Sequence, residues 1–144
     1  MDIGVGQKLD AWMMKPADFD STRKYPVLFY VYGEPAGQTV SDAYTGSSFL
    51  WHTLLTQQGY IVASVDQRGT PSPKGRDWRK AVLNQISALR VKEQSAAAKI
   101  IGRRPYVDST RMGVWGWSGG GSSTLLLMFR AADTYKVGMS VAPV

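Results

Sequence analysis

Apolar residues recur along this chain in short runs of two kinds, and the alternation of the two predicts the architecture. Residues 7-QKLDAWMM-14 alternate well enough for an early strand, closed by Pro16 and the polar turn 17-ADFDSTRK-24. The run 26-PVLFYVY-32 is continuous, β-branched and aromatic, as expected of a strand buried on both faces. Glycine and proline in 33-GEPAGQ-38 end it. A helix is predicted from Phe49 to Gln58, stopped by Gly59, and 60-YIVASVD-66 reads as a second buried strand. After the loop 67-QRGTPSPKG-75, a helix is predicted over Glu93 to Ile101, with Gly102 and Pro105 as stop signals. Strand 111-RMGVWGW-117, helix 122-SSTLLLMFRAA-132 and strand 136-KVGMSVAPV-144 complete the series. Strands alternating with helices imply right-handed crossovers, and hence an α/β domain with a mostly parallel sheet flanked by helices.

Length and hydrophobic content suit one domain over residues 1–144, with no internal repeat, low-complexity tract or linker. No apolar run reaches the length of a membrane span, and the first residues lack the basic and apolar regions of a signal peptide. The absence of cysteine excludes disulfides and thiolate metal sites. No cofactor or metal is implied. Seventeen basic against eleven acidic residues give a net charge of +6, which by itself would admit a nucleic-acid partner. The basic residues are dispersed, however. Their one cluster, 99-KIIGRR-104, reads as a helix end favoured by its dipole, so no nucleic-acid partner is expected.

Candidate chemistry centres on 113-GVWGWSGGGSS-123. Gly116-Trp117-Ser118-Gly119-Gly120 fits G-x-S-x-G between a predicted strand and a predicted helix, the setting of a nucleophile elbow. There a strained turn lifts the serine hydroxyl clear of the sheet, and the residues two before and two after must be small because their backbones meet. The amide of Gly119, at the start of the helix, then points at a developing oxyanion. The bland alternative is a flexible glycine loop before a core helix. Tyr32, at the end of strand FYVY, sits where a second oxyanion donor is found in such folds. Its spacing fits equally a packing tyrosine with a wet tip.

Taken together, 31-VYGEPAGQ-38, 66-DQRGTPSPKGRDW-78, 106-YVDSTRMGVWGWSGGG-121 and 136-KVGMSVAPV-144 resemble the dipeptidyl peptidase IV branch of the prolyl oligopeptidase (S9) family of serine peptidases. The likeness runs from about Lys8 to Val144, with four motifs in order. It implies an α/β-hydrolase fold, in this family usually behind a β-propeller, and a peptide substrate cut to release N-terminal dipeptides. By resemblance Ser118 matches the nucleophile, and Tyr32 the tyrosine whose hydroxyl completes the oxyanion hole with the Gly119 amide. Val144 matches a valine lining the pocket for the penultimate, often proline, residue of the substrate. Gly119 departs from mammalian members, which carry a tyrosine in that pocket wall, so strict proline preference is not implied. Trp117 matches a family tryptophan with a packing role. Family members are often periplasmic, secreted or membrane-anchored. A carboxylesterase or acyl-peptide hydrolase shares the elbow, but its YGEPAGQ-type loop is less alike.

The triad order of the fold is Ser, then Asp, then His. After Ser118 only Asp133 follows, too early for the triad acid, and no histidine follows at all; the single histidine, His52, precedes the serine and reads as structural. These residues are therefore expected to be the first part of a hydrolase domain, ending after the strand that follows the nucleophile helix. Alone they would be inactive and would behave as a non-catalytic folding fragment, because a serine without a base stays protonated near neutral pH. Helix 124-TLLLMF-129 is apolar nearly all round, and strand 137-VGMSVAPV-144 would be a sheet edge. Apolar exposure, and self-association through that edge, are expected.

Overall fold

A computed structural model describes residues 1–4, 6, 8–44 and 47–144. Five strands form one sheet: β1 (Asp10–Met14), β2 (Tyr25–Tyr30), β3 (Ile61–Asp66), β4 (Val107–Trp117) and β5 (Val137–Val141). Their order across the sheet is β1-β3-β2-β4-β5. β1 runs antiparallel to β3, whereas β3, β2, β4 and β5 pair in parallel. The mostly parallel sheet expected from the alternation is thus present. Parallel neighbours need a crossover, and helices α1 (Ser47–Gln57), α2 (Gly75–Lys80), α3 (Ile86–Gly102) and α4 (Gly119–Arg130) provide it.

Neighbouring residues of a strand face opposite sides, and β2 shows which helix covers which side. Phe29 meets Tyr135 edge-on at 5.7 Å, and the Tyr135 hydroxyl donates to the Gln94 carbonyl of α3 at 3.2 Å. Tyr30, one residue on, lies 5.1 Å from the ring of His52 on α1. So α3, with α4 beside it, covers one face and α1 the other. Val27, Phe29, Val31, Ala63, Val65, Val114 and Leu127 form the core beneath α3 and α4.

Several boundaries differ from the sequence reading. The strand expected over 7–14 begins at Asp10, and Gln7 lies outside the described residues. β4 begins at Val107, four residues early, because Val107 pairs with Tyr25 across an irregularity before Val27. α3 begins at Ile86, seven residues before the expected start. Its buried stripe reads Leu89, Arg90, Glu93, Gln94, Ala97, Ala98 and Ile101, so charged and amide residues occupy positions a hydrophobic pattern would need. α2 falls on a stretch the pattern left unassigned. It has one buried anchor, Trp78, whose indole donates to the Thr70 carbonyl at 3.0 Å.

β5 is an outer strand, with Val137 and Met139 exposed. Helix α4 is covered on one side only: Leu127 is buried, whereas Phe129 is 79% exposed. The covering on several sides expected for 124–129 is not met by the described residues. Trp117 also differs from its expected packing role. It shares a face with Trp115, but α1 reaches Trp115 through Trp51 and His52 and leaves Trp117 61% exposed.

Candidate active site

Ser118 occupies the single residue between β4 and α4. Its backbone sits at φ 57°, ψ −121°, a region side chains avoid and one that costs about 1–3 kcal/mol. Two backbone hydrogen bonds hold it there: the Ser118 amide donates to Val141 O at 2.9 Å, and Ser118 O accepts from the Ser122 amide at 3.1 Å. The glycines show why the motif requires them. A β-carbon at Gly116 would stand 2.3 Å from Val31 O and 2.5 Å from Gly120 O, and one at Gly120 would stand 2.3 Å from Val31 O. At Gly121 it would stand 2.6 Å from Val141 O. This is a sharp, close-packed elbow, not a flexible glycine loop. Ser118 is half-buried, and Gly119 opens α4 with one of the first-turn amides that lack a helical partner.

Tyr32 stands at the same end of the sheet. β2 and β4 pair in parallel with Tyr30 opposite Trp115, and the Val31 amide donates to Trp115 O at 2.9 Å, so residue 32 is level with Trp117. Ser123 Oγ on α4 lies 2.6 Å from both Tyr32 O and Gly119 O and ties the loop to the elbow. The Tyr32 ring lies against Gly37, where a β-carbon would approach Cε1 to 3.1 Å.

The next two residues hang from a buried polar network that the sequence reading missed. Gly33 (φ 76°) makes its turn where a β-carbon would crowd Ser123 and Arg90. Its carbonyl accepts from Gln67 Nε2 at 2.8 Å and from Arg90 Nε at 3.1 Å. Arg90, buried on α3, also pairs with Glu34 at 2.5 Å. Gln94 Nε2 donates to Gln67 Oε1 at 2.7 Å, and the fully buried Glu93 pairs with Arg68 and accepts from its amide at 2.9 Å. Every buried charge here is paired, the condition for tolerating it. The one signal in sequence is the helical spacing of Arg90, Glu93 and Gln94, recognisable only once Leu89, Ala97 and Ile101 are seen to share their stripe.

Val144 closes the other flank. Its amide donates to Ser122 Oγ at 3.1 Å, and its carbonyl accepts from that hydroxyl at 2.5 Å, while its side chain is exposed. The structure therefore gathers Ser118, Gly119, Tyr32 and Val144 around one end of the sheet.

The two remaining titratable candidates stand apart. Asp133 lies in the turn past α4, just beyond the helix predicted over 122–132, and is exposed and paired with Lys99 at 2.7 Å. His52 is buried on the α1 face among Trp12, Tyr30 and Trp115, with ring centroids 5.4, 5.1 and 5.6 Å away. A cavity of about 250 Å³ opens beside it over Trp12, Tyr30, Thr39 and Phe49; Ser118 does not line it. Among the described residues, His52 Nε2 has no hydrogen-bond partner. Burial lowers its pKa from 6.5 to about 4. The folded chain thus refuses a proton the unfolded chain accepts. Stability contributed by the neutral ring is complete above pH 6.5 and falls progressively to pH 4, by about 3 kcal/mol in all. Asp108, lowered to about 2 by hydrogen bonds from Thr110 and Arg111, loses its contribution only below that window. Urea unfolding at pH 7 and pH 4.5 is expected to show the loss in the parent chain and most of it abolished in His52→Phe.

A strained serine between a parallel strand and a helix, with a second strand-end loop tied to that helix, is part of an α/β-hydrolase fold. Residues 47–144 match the model of the prolyl oligopeptidase family, and the chain belongs to that family, in its dipeptidyl peptidase IV branch. It is 44% identical over 140 residues to a probable dipeptidyl-aminopeptidase B of Arthroderma gypseum, covering 96% of this chain and 15% of the relative. It superimposes on the crystal structure of Porphyromonas gingivalis dipeptidyl peptidase 4 with TM-score 0.88 and 46% identity, over 94% of this chain and 19% of that one. A putative dipeptidyl aminopeptidase IV from Bacteroides ovatus gives TM-score 0.89 and 38% identity, over 100% of this chain and 20% of that one. The chain thus spans about a seventh to a fifth of the length of these relatives.

Proposed function

We propose that these residues are the nucleophile-bearing part of a longer serine peptidase that releases N-terminal dipeptides. Ser118 Oγ gives up its proton to the base and attacks the carbonyl of the substrate's second residue. The bond to the third residue's nitrogen breaks, that amine leaves with the proton, and Ser118 carries the dipeptidyl group until water releases it. The Gly119 amide and the Tyr32 hydroxyl donate to the resulting oxyanion, and Val144 and Gly119 border the pocket for that second residue. The acid and base come from residues outside the chain, because His52 is sealed in an aromatic cluster and Asp133 is paired with Lys99. Residues 1–144 by themselves are accordingly inactive, and they self-associate through the outer strand β5.

The observation that carries this reading is the Ser118 backbone, strained at φ 57° within an elbow whose Gly116, Gly120 and Gly121 are each closed off by neighbouring backbone. Strain of this kind persists only where surrounding structure enforces it, and it clusters at functional sites. The test uses the full-length polypeptide that carries the chain, with chromogenic dipeptide amides. Tyr32→Phe is expected to lower kcat by roughly 10²–10³ with KM within a few-fold, as for loss of one oxyanion donor. An unchanged kcat would remove Tyr32 from the oxyanion hole. Cleavage of simple esters but no dipeptide amide would favour a carboxylesterase instead.

A further inference from the structure

Gly119 leaves the wall beside the nucleophile without a side chain of its own, and another residue fills the space. A β-carbon at position 119 would lie 2.4 Å from Glu34 Cγ, 3.2 Å from Cδ and 3.4 Å from Oε1. The Glu34 side chain therefore lies directly against the residue that follows Ser118. It is also fixed and half-free at once. Oε1 accepts from Arg90 Nη2 at 2.5 Å, and Arg90 is itself anchored on Gly33 O. Among the described residues nothing donates to Oε2, and the side chain retains 28% exposure.

Resting on the reading of this site as a dipeptidyl peptidase's, we propose that Glu34 is a specificity-determining residue that supplies the pocket wall at Gly119 and presents a carboxylate oxygen to the substrate's second residue. A carboxylate with one oxygen tied and the other open accepts a hydrogen bond from a side chain bearing an N–H or O–H, most strongly from a cation. Arg90 balances its charge, so the oxyanion forming at the neighbouring amide is not opposed by an unpaired anion. The pocket thus favours a donor-bearing second residue, such as lysine, over an apolar one of similar bulk.

The full-length polypeptide tests this with dipeptide amides whose second residue is lysine, methionine or alanine. Glu34→Gln keeps the shape and removes the charge. It is expected to lower the lysine-to-methionine ratio of kcat/KM about tenfold while leaving the alanine substrate within about threefold. A ratio unchanged in Glu34→Gln overturns the proposal. If the polypeptide cleaves no dipeptide amide, the reading of the site fails, and the steric half of the proposal is still read by melting. Gly119→Tyr is expected to lower Tm by about 10 °C beside Glu34 and by less than half as much beside Glu34→Gly. Strictly additive shifts would show that Glu34 does not fill that wall.

Discussion

Replacing Ser118 with alanine is expected to abolish labelling by a fluorophosphonate and to lower dipeptide release by the full-length polypeptide about 10⁶-fold, with the protein still folded. The argument separates chemistry from scaffold. The Ser118 amide and carbonyl hold the elbow through Val141 and Ser122, and both groups survive the substitution. The hydroxyl makes no hydrogen bond to another described residue, so removing it leaves no buried partner unsatisfied. Stability in Ser118→Ala should stay within about 0.5 kcal/mol of the parent. Ser118→Gly goes further. At φ 57°, ψ −121° a glycine relieves strain, so that variant is expected to be inactive yet about 1 kcal/mol more stable. A serine in an ordinary loop would give neither result. Labelling of residues 1–144 by themselves tests the missing triad: strong labelling at Ser118 would mean that a base lies within this chain after all.

What was legible in the sequence follows from how each feature is encoded. The buried strands were visible because β2 and β3 are continuous apolar runs, and the elbow because its glycines fall at fixed offsets from Ser118. Tyr32 was ambiguous by spacing. Its place at the elbow depends on β2 and β4 being neighbours although α1, β3, α2 and α3 intervene in the chain, and no local pattern carries that pairing. The first two turns of α3 were illegible for a different reason. Arg90, Glu93 and Gln94 look like a solvated face, yet they are buried to hold Gly33, Glu34, Gln67 and Arg68. Their partners lie 25 to 57 residues away. A polar residue buried for a distant loop reads locally as exposed, and that is where the site's supporting structure was hidden.

The same distinction between local signal and distant partner sets the largest expected loss of stability. Gly120→Val is expected to cost about 3–5 kcal/mol and to eliminate labelling of Ser118. The φ of Gly120 lies outside the left-handed region, so backbone preference does not oppose a side chain there. Space does. Its β-carbon would sit 2.3 Å from Val31 O and 3.3 Å from Tyr32 Cα, which are backbone atoms just past the end of the central strand β2 and cannot turn aside as a side chain would. Relief would require β2 to part from α4, carrying Tyr32 from the elbow. Gly59 is the informative control. It has φ 83°, but nothing lies within 4 Å of a β-carbon built on it. Gly59→Ala should therefore cost only the left-handed strain, about 1 kcal/mol, and leave Ser118 untouched. If chemical denaturation gave the two substitutions equal costs, the contact between the elbow and the end of β2 would not be the constraint that holds Ser118 up.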